Sequence, residues 1–296
     1  MEEIFLIEKA PAIKRGWLRA LLMIVAYLIA SIVFGGIAAV IIGLANGIDL
    51  MNIEAFIANV DNIGIILIIQ LISLIVALII IWIFRKYIDK KSILTLGFKL
   101  KGRSIDVVLG FLLGFFLMFL GFIILRLIND LEVISISFNS KAVFGGFFLF
   151  LIVAITEEAI FRGYILSNLM DTFKNKYIAL IVSSIVFAIF HGMNPNLNLI
   201  GFINLIVAGI ALGISYIHIK NLWFPILFHL SWNYFQGPIF GFEVSGMDFI
   251  SILQQKVTGN ELITGGDFGF EGSIILTVLL LGMIVIIDRI LVNKVV

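Results

Sequence analysis

The sequence predicts an all-α fold, a polytopic bundle of about eight transmembrane helices with both termini on the cytoplasmic side. Three observations lead there. Hydrophobic residues make up 61% of the 296 residues and charged residues 13%, about half the charged share of an ordinary soluble domain. The apolar residues come in long unbroken runs rather than in strand-like alternation, which favours helices over a β-barrel. The charged residues collect between the runs, and every second connection is rich in Lys and Arg.

A helix needs about 20 apolar residues to cross the hydrocarbon. On that criterion the runs are 18–45, 63–84, 105–127, 143–170, 177–192, 197–218, 222–241 and 273–291. The first is too long for a signal-peptide core of roughly 7–15 residues, so it is read as a retained span. The fifth is short and stops at Gly192-Met193-Asn194-Pro195, a turn sequence. Lys9, Lys14, Arg15 and Arg19 precede span one. Arg85, Lys86, Lys90, Lys91, Lys99, Lys101 and Arg103 follow span two. Lys174 and Lys176 follow span four, Lys220 follows span six, and Arg289 and Lys294 close the chain. The positive-inside rule places all of these in the cytoplasm. Trp17, Trp82 and Trp223 fall at the same ends, as an aromatic belt would. The longest soluble stretches are 85–104, which is basic, and 242–272, which is Gly-rich, mostly acidic and external. No domain boundary is visible, so 1–296 reads as one membrane domain in a cell membrane. The pairs Gly110/Gly114 and Gly209/Gly213 read as close helix packing.

The net charge of +1 gives no case for nucleic acid. The absence of cysteine excludes disulfides, thiol nucleophiles and cysteine–zinc sites. The C-terminal NKVV carries no prenylation signal. Loop Lys and Asp residues are taken as solvated.

The informative residues are polar ones inside apolar runs. Span four carries Glu157, Glu158 and Arg162 near its middle. Each charge at the bilayer centre costs about 2.5–3.5 kcal/mol on insertion scales, so these groups need partners or water. Glu158 and Arg162 are four apart on one helical face, with Glu on the favourable N-terminal side. Glu157 is turned about 100° away. Spacing thus assigns Glu158–Arg162 as a structural pair and leaves Glu157 free. His191 ends span five; His229 and Asn233 lie four apart on span seven. Counted from the cytoplasmic ends at about 1.5 Å per residue, Glu157 lies ~20 Å deep, His191 ~21 Å, Asn233 ~17 Å and His229 ~11 Å, compatible with one layer. His218, beside Lys220, reads as interfacial.

Glu, two His and Asn without Ser, Cys or an Asp pair suit water activation. A carboxylate and an imidazole can hold a water and take its proton. A second imidazole and an amide can donate to an oxyanion. That set fits hydrolysis of an amide. Two His and a Glu also make a zinc set, but the HExxH spacing is missing. A proton-coupled transporter is the other class that places Glu and His at the midplane, yet repeated halves, its usual mark, are not seen.

Glu157-Glu158-x-x-x-Arg162, Phe187-x-x-x-His191 and His229-x-x-x-Asn233 resemble the three motifs of the CAAX protease and bacteriocin-processing (CPBP, or Abi) family of glutamate-type intramembrane endopeptidases. The resemblance covers roughly 143–240, the family-like catalytic core. Asn221-Leu222-Trp223-x-Pro225 and the Gly-rich 265–272 stretch are similar to bacterial members. It implies that Glu157 and His191 activate water, that His229 and Asn233 form the oxyanion site, and that Glu158 and Arg162 belong to the same machinery. It further implies a peptide or membrane-protein substrate, with a lipidated one among the alternatives; no metal or other cofactor is expected, a metal-dependent protease being the alternative.

Overall fold

A computed structural model of the chain describes residues 10–45, 47 and 63–295. Lys9 and the connection between the first two spans lie outside the described residues. Eight main helices follow in the predicted order. They are α1 (Gly16–Ala45), α2 (Ile63–Ile83), α3 (Ser104–Leu127), α4 (Gly146–Glu158), α5 (Lys176–Phe190), α6 (Leu199–Ile214), α7 (Trp223–Tyr234) and α8 (Ile274–Val295). Wider π-helical turns, Lys141–Gly145 and Ala159–Leu166, continue α4 at both ends, so the rod runs over Lys141–Met170.

Six of the helices are long and apolar enough to cross a membrane, and the chain is a multi-pass membrane protein. The other two are shorter. Helix α5 has 15 residues, about 22 Å at 1.5 Å per residue, against a core of ~30 Å. It stops where Gly192 and Pro195 break the pattern. Helix α7 has 12 residues, extended by a π-helical turn, Phe235–Ile239.

The outer and inner helices differ in burial. In the most apolar window of α2, continued to Ile88, 11% of residues are buried, against 67% for α6, continued to Ile219. Their exposed Ile and Leu side chains give α1, α2 and α8 the surface that lipid would cover. Helix α7 packs on α3 and α4, α5 packs on α6, and α8 lies behind α6. The glycine pairs make these approaches possible. A Cβ on Gly114 would stand 2.6 Å from Phe228 O and Trp232 N of α7. One on Gly209 would stand 2.7 Å from Ser184 Cβ of α5.

Three expectations are corrected. The connections are not all irregular: β1 (Leu131–Ile136) pairs antiparallel with β2 (Leu253–Val257). Asp89 is not a solvated loop residue but is fully buried. It accepts from Arg19 Nη1 at 3.1 Å, Arg85 Nη1 at 2.8 Å and the Tyr164 hydroxyl at 3.3 Å. Arg19 also reaches Asp171 at 2.8 Å. These bonds compensate the burial of the charges and staple α1, the end of α2 and the end of α4 together. His218 is not free at the interface. Its side chain is 2% exposed and its Nε2 is 2.7 Å from Asp288 on α8, with Lys176 Nζ 2.9 Å from its Nδ1.

Candidate active site

The π-helical turn that follows Glu158 widens the middle of the α4 rod, and it carries Arg162. Such turns are frequent at functional sites. Arg162 Nη1 donates to Glu158 Oε1 at 2.8 Å, with both side chains essentially inaccessible. Its Nη2 donates to Gly209 O at 3.2 Å, and its guanidinium lies 4.6 Å from the centre of the Phe187 ring. The four-residue spacing therefore yields a buried pair that also joins α4 to α5 and α6.

Glu157 faces elsewhere, onto a cavity of about 1010 Å³. Its side chain is 24% exposed. Among the described residues its Oε2 has no hydrogen-bond partner, but two imidazole nitrogens stand near it. His191 Nε2 is 3.7 Å away and His229 Nε2 3.9 Å. Both are too far for a direct hydrogen bond.

Each ring is oriented from its other nitrogen. His191 caps the C-terminus of α5, where Nδ1 donates to Phe187 O at 2.8 Å. A carbonyl only accepts, so Nδ1 holds a proton, and it is Nε2 that can present a lone pair to the cavity. His229 Nδ1 donates to Glu158 Oε1 at 2.9 Å, again turning Nε2 to the cavity. Asn233, one turn along α7, lines the same cavity and is 8% exposed. Among the described residues its side chain makes no hydrogen bond. The structure thus brings Glu157, His191, His229 and Asn233 to one space and sets Glu158 and Arg162 directly behind it.

Apolar side chains of α2 and α4, among them Ile66, Ile69, Leu149 and Val153, also line the cavity. Three residues on it escaped the sequence reading. Gln70, on α2, is polar in an otherwise apolar run, a signal that was present. Glu271 and Ser245 come from the stretch between α7 and α8. Glu271 is 7% exposed and its Oε2 accepts from Ser245 N at 2.9 Å and Oγ at 2.7 Å. Burial pushes its carboxyl above the usual range, and the Ser245 bonds oppose that shift. Its neighbours Phe268 and Phe270 are fully buried; such aromatic residues in a Gly-rich stretch are the signal that it folds inward.

Among the described residues, no three His, Asp or Glu side chains stand in metal-ligand geometry.

Residues 139–235 match the family described as type II CAAX prenyl endopeptidase Rce1-like. The match runs from the start of the α4 rod to the end of α7 and includes all three motifs. It agrees with the resemblance read from them. No curated protein and no solved structure matches the chain.

Proposed function

We propose that the chain is an intramembrane endopeptidase that hydrolyses a peptide bond with a water activated by Glu157 and His191. The family matched over 139–235 is one of endopeptidases, so a membrane-associated protein or peptide is the substrate class. The observation that carries the mechanism is the unpartnered Glu157 Oε2 set 3.7 and 3.9 Å from two cavity-facing imidazole nitrogens.

The water binds on the cavity side, bonded to the Glu157 carboxylate and to His191 Nε2. Glu157 takes one proton as the water oxygen attacks the carbonyl carbon. The oxyanion that forms accepts from the Asn233 amide and from Nε2–H of a His229 imidazolium, whose Nδ1–H stays on Glu158. Glu157 then returns its proton to the amide nitrogen. The C–N bond breaks, leaving a carboxylic acid and an amine. Arg162 holds Glu158 and so fixes His229.

The eight-span topology with cytoplasmic termini belongs to the same proposal, with α5 and α7 as short spans beside the site. The Lys and Arg distribution supports it. Glu157→Gln tests the mechanism. The amide cannot take the proton, so cleavage of a quenched peptide library should vanish while peptide binding persists. Near-normal cleavage by this variant would falsify the glutamate mechanism.

A further inference from the structure

The segment 242–272 carries Glu243, Asp248, Glu261, Asp267 and Glu271 against a single base, Lys256. It folds back as a cap over the site. Phe242, Phe268 and Phe270 anchor it in the interior. Gly246, with φ +78°, lies against Pro195 O in the α5–α6 turn, where a side chain would collide. Gly246 N donates to Phe268 O at 3.1 Å, which closes the cap on itself.

At the end of this cap Glu271 faces the cavity that holds Glu157, His191 and His229. It is firmly held. Ser245 donates twice to Oε2, and Asn204 Nδ2 donates to the Glu271 backbone oxygen at 2.7 Å. Its other oxygen, Oε1, makes no hydrogen bond among the described residues. No Lys, Arg or His nitrogen among them lies within 4.0 Å of the carboxylate. Oε1 therefore opens on the cavity, and a largely buried carboxylate without a cation beside it is costly. Three carboxylates, Glu157, Asp248 and Glu271, line one cavity, with Lys141 the lone permanent cation in the described lining. Asn233, more than nine-tenths buried, is a further lining residue whose side chain makes no hydrogen bond among the described residues. Neither Lys141 nor either imidazole pairs with Glu271 within 4.0 Å.

We infer that Glu271 is a specificity-determining residue, the acceptor for a Lys or Arg side chain of the substrate peptide near its scissile bond. The inference rests on the endopeptidase reading and deepens it. The acidic cap draws basic segments toward the mouth, and Glu271 Oε1 receives the ammonium or guanidinium across the cavity from the water site. The positive charge then neutralises the second carboxylate, and Glu157 remains free to act as base.

The test compares two quenched peptides that differ only in Lys against Gln beside the cleaved bond, at several positions. The full-length protein in detergent micelles should favour the basic peptide about ten- to hundredfold in kcat/KM, the range of a hydrogen bond to a charged group, chiefly through KM. In Glu271→Gln, whose amide oxygen can still accept from Ser245, that ratio should fall to near one. Glu271→Lys should reverse it. An unchanged ratio in Glu271→Gln, or an equal loss on both peptides, would overturn the assignment. Equilibrium binding of the same peptides, labelled but unquenched, to the Glu157→Gln protein and to its Glu271→Gln double variant separates the two readings. A charge preference in binding that depends on Glu271 supports the recognition role even where no peptide is cut. Equal binding of both peptides sinks it even where cleavage proceeds.

Discussion

His229 Nδ1 stands 2.9 Å from Glu158 Oε1, the oxygen that Arg162 holds at 2.8 Å from the other side. One carboxylate oxygen therefore couples α7 to α4. Through Arg162 and Gly209 O the chain of bonds continues to α6. The pair that the four-residue spacing marks as structural is also what orients a ring proposed to act in catalysis.

Arg162→Ala should destabilise the protein far more than Glu157→Ala. It leaves Glu158 buried without its cation, at a cost of roughly 3–5 kcal/mol, and empties the space over Phe187. Melting temperature and yield after detergent extraction measure the difference. Equal values for the two variants would contradict the pairing.

Asn233→Ala should lower turnover on the order of 10²–10³-fold, as loss of an oxyanion donor does elsewhere, with little change in melting. Chelators should leave the activity intact. Inactivation by a chelator, reversed by zinc, would instead favour a metal-dependent hydrolysis.

Gly114→Leu should separate α3 from α7. Its Cβ alone would stand 2.6 Å from backbone atoms of residues 228 and 232, which cannot turn aside as a flexible side chain can. Overpacking of this kind costs typically 1–3 kcal/mol, and it would displace the helix that bears His229 and Asn233. The expected result is lower thermal stability together with a loss of cleavage; wild-type behaviour in both assays would refute the close contact.

Glu271 makes stability depend on pH. Burial raises its carboxyl above the ordinary value of 4.5, so at pH values just above 4.5 the folded state keeps a proton that the unfolded chain has lost. Stability contributed by this group is present below that value and declines as pH rises towards the folded pKa. The melting temperature of Glu271→Gln should fall less over that window than that of the wild type. Glu243, also raised by burial, keeps part of the slope in both proteins. Parallel pH profiles would show that Glu271 carries no such shift.

Topology can be read on the cysteine-free background. Single cysteines at Lys90 and Lys174 should be shielded from an impermeant thiol reagent in intact cells. One at Met193, 97% exposed, or Lys256 should react. External labelling at Lys90 or Lys174 would overturn the cytoplasmic assignment of those loops.

Much of the architecture is local chemistry and was therefore readable in order along the chain. Apolar runs of helix length mark the eight helices because the period and the solvent are properties of consecutive residues. The Glu158–Arg162 pair follows from i,i+4 geometry alone, and so does the freedom of Glu157. His191 could be placed because Gly192 and Pro195 end its helix at that point. The span criterion was less decisive, since α5 and α7 are apolar but short of a full crossing.

Consecutive residues were enough to specify the helical membrane bundle and the polar side chains set within it. Only the tertiary structure decided which of them meet, and it added partners that no periodicity reveals. The pairing of β1 with β2 joins segments more than a hundred residues apart. Asp89 gains its three donors from α1, α2 and α4. Glu271 reaches the site because Phe268 and Phe270 bury themselves and Asn204 and Ser245 hold its backbone and its carboxylate. Each of these depends on groups distant in sequence whose burial and hydrogen bonding are satisfied only together, so no single stretch of the chain encodes it.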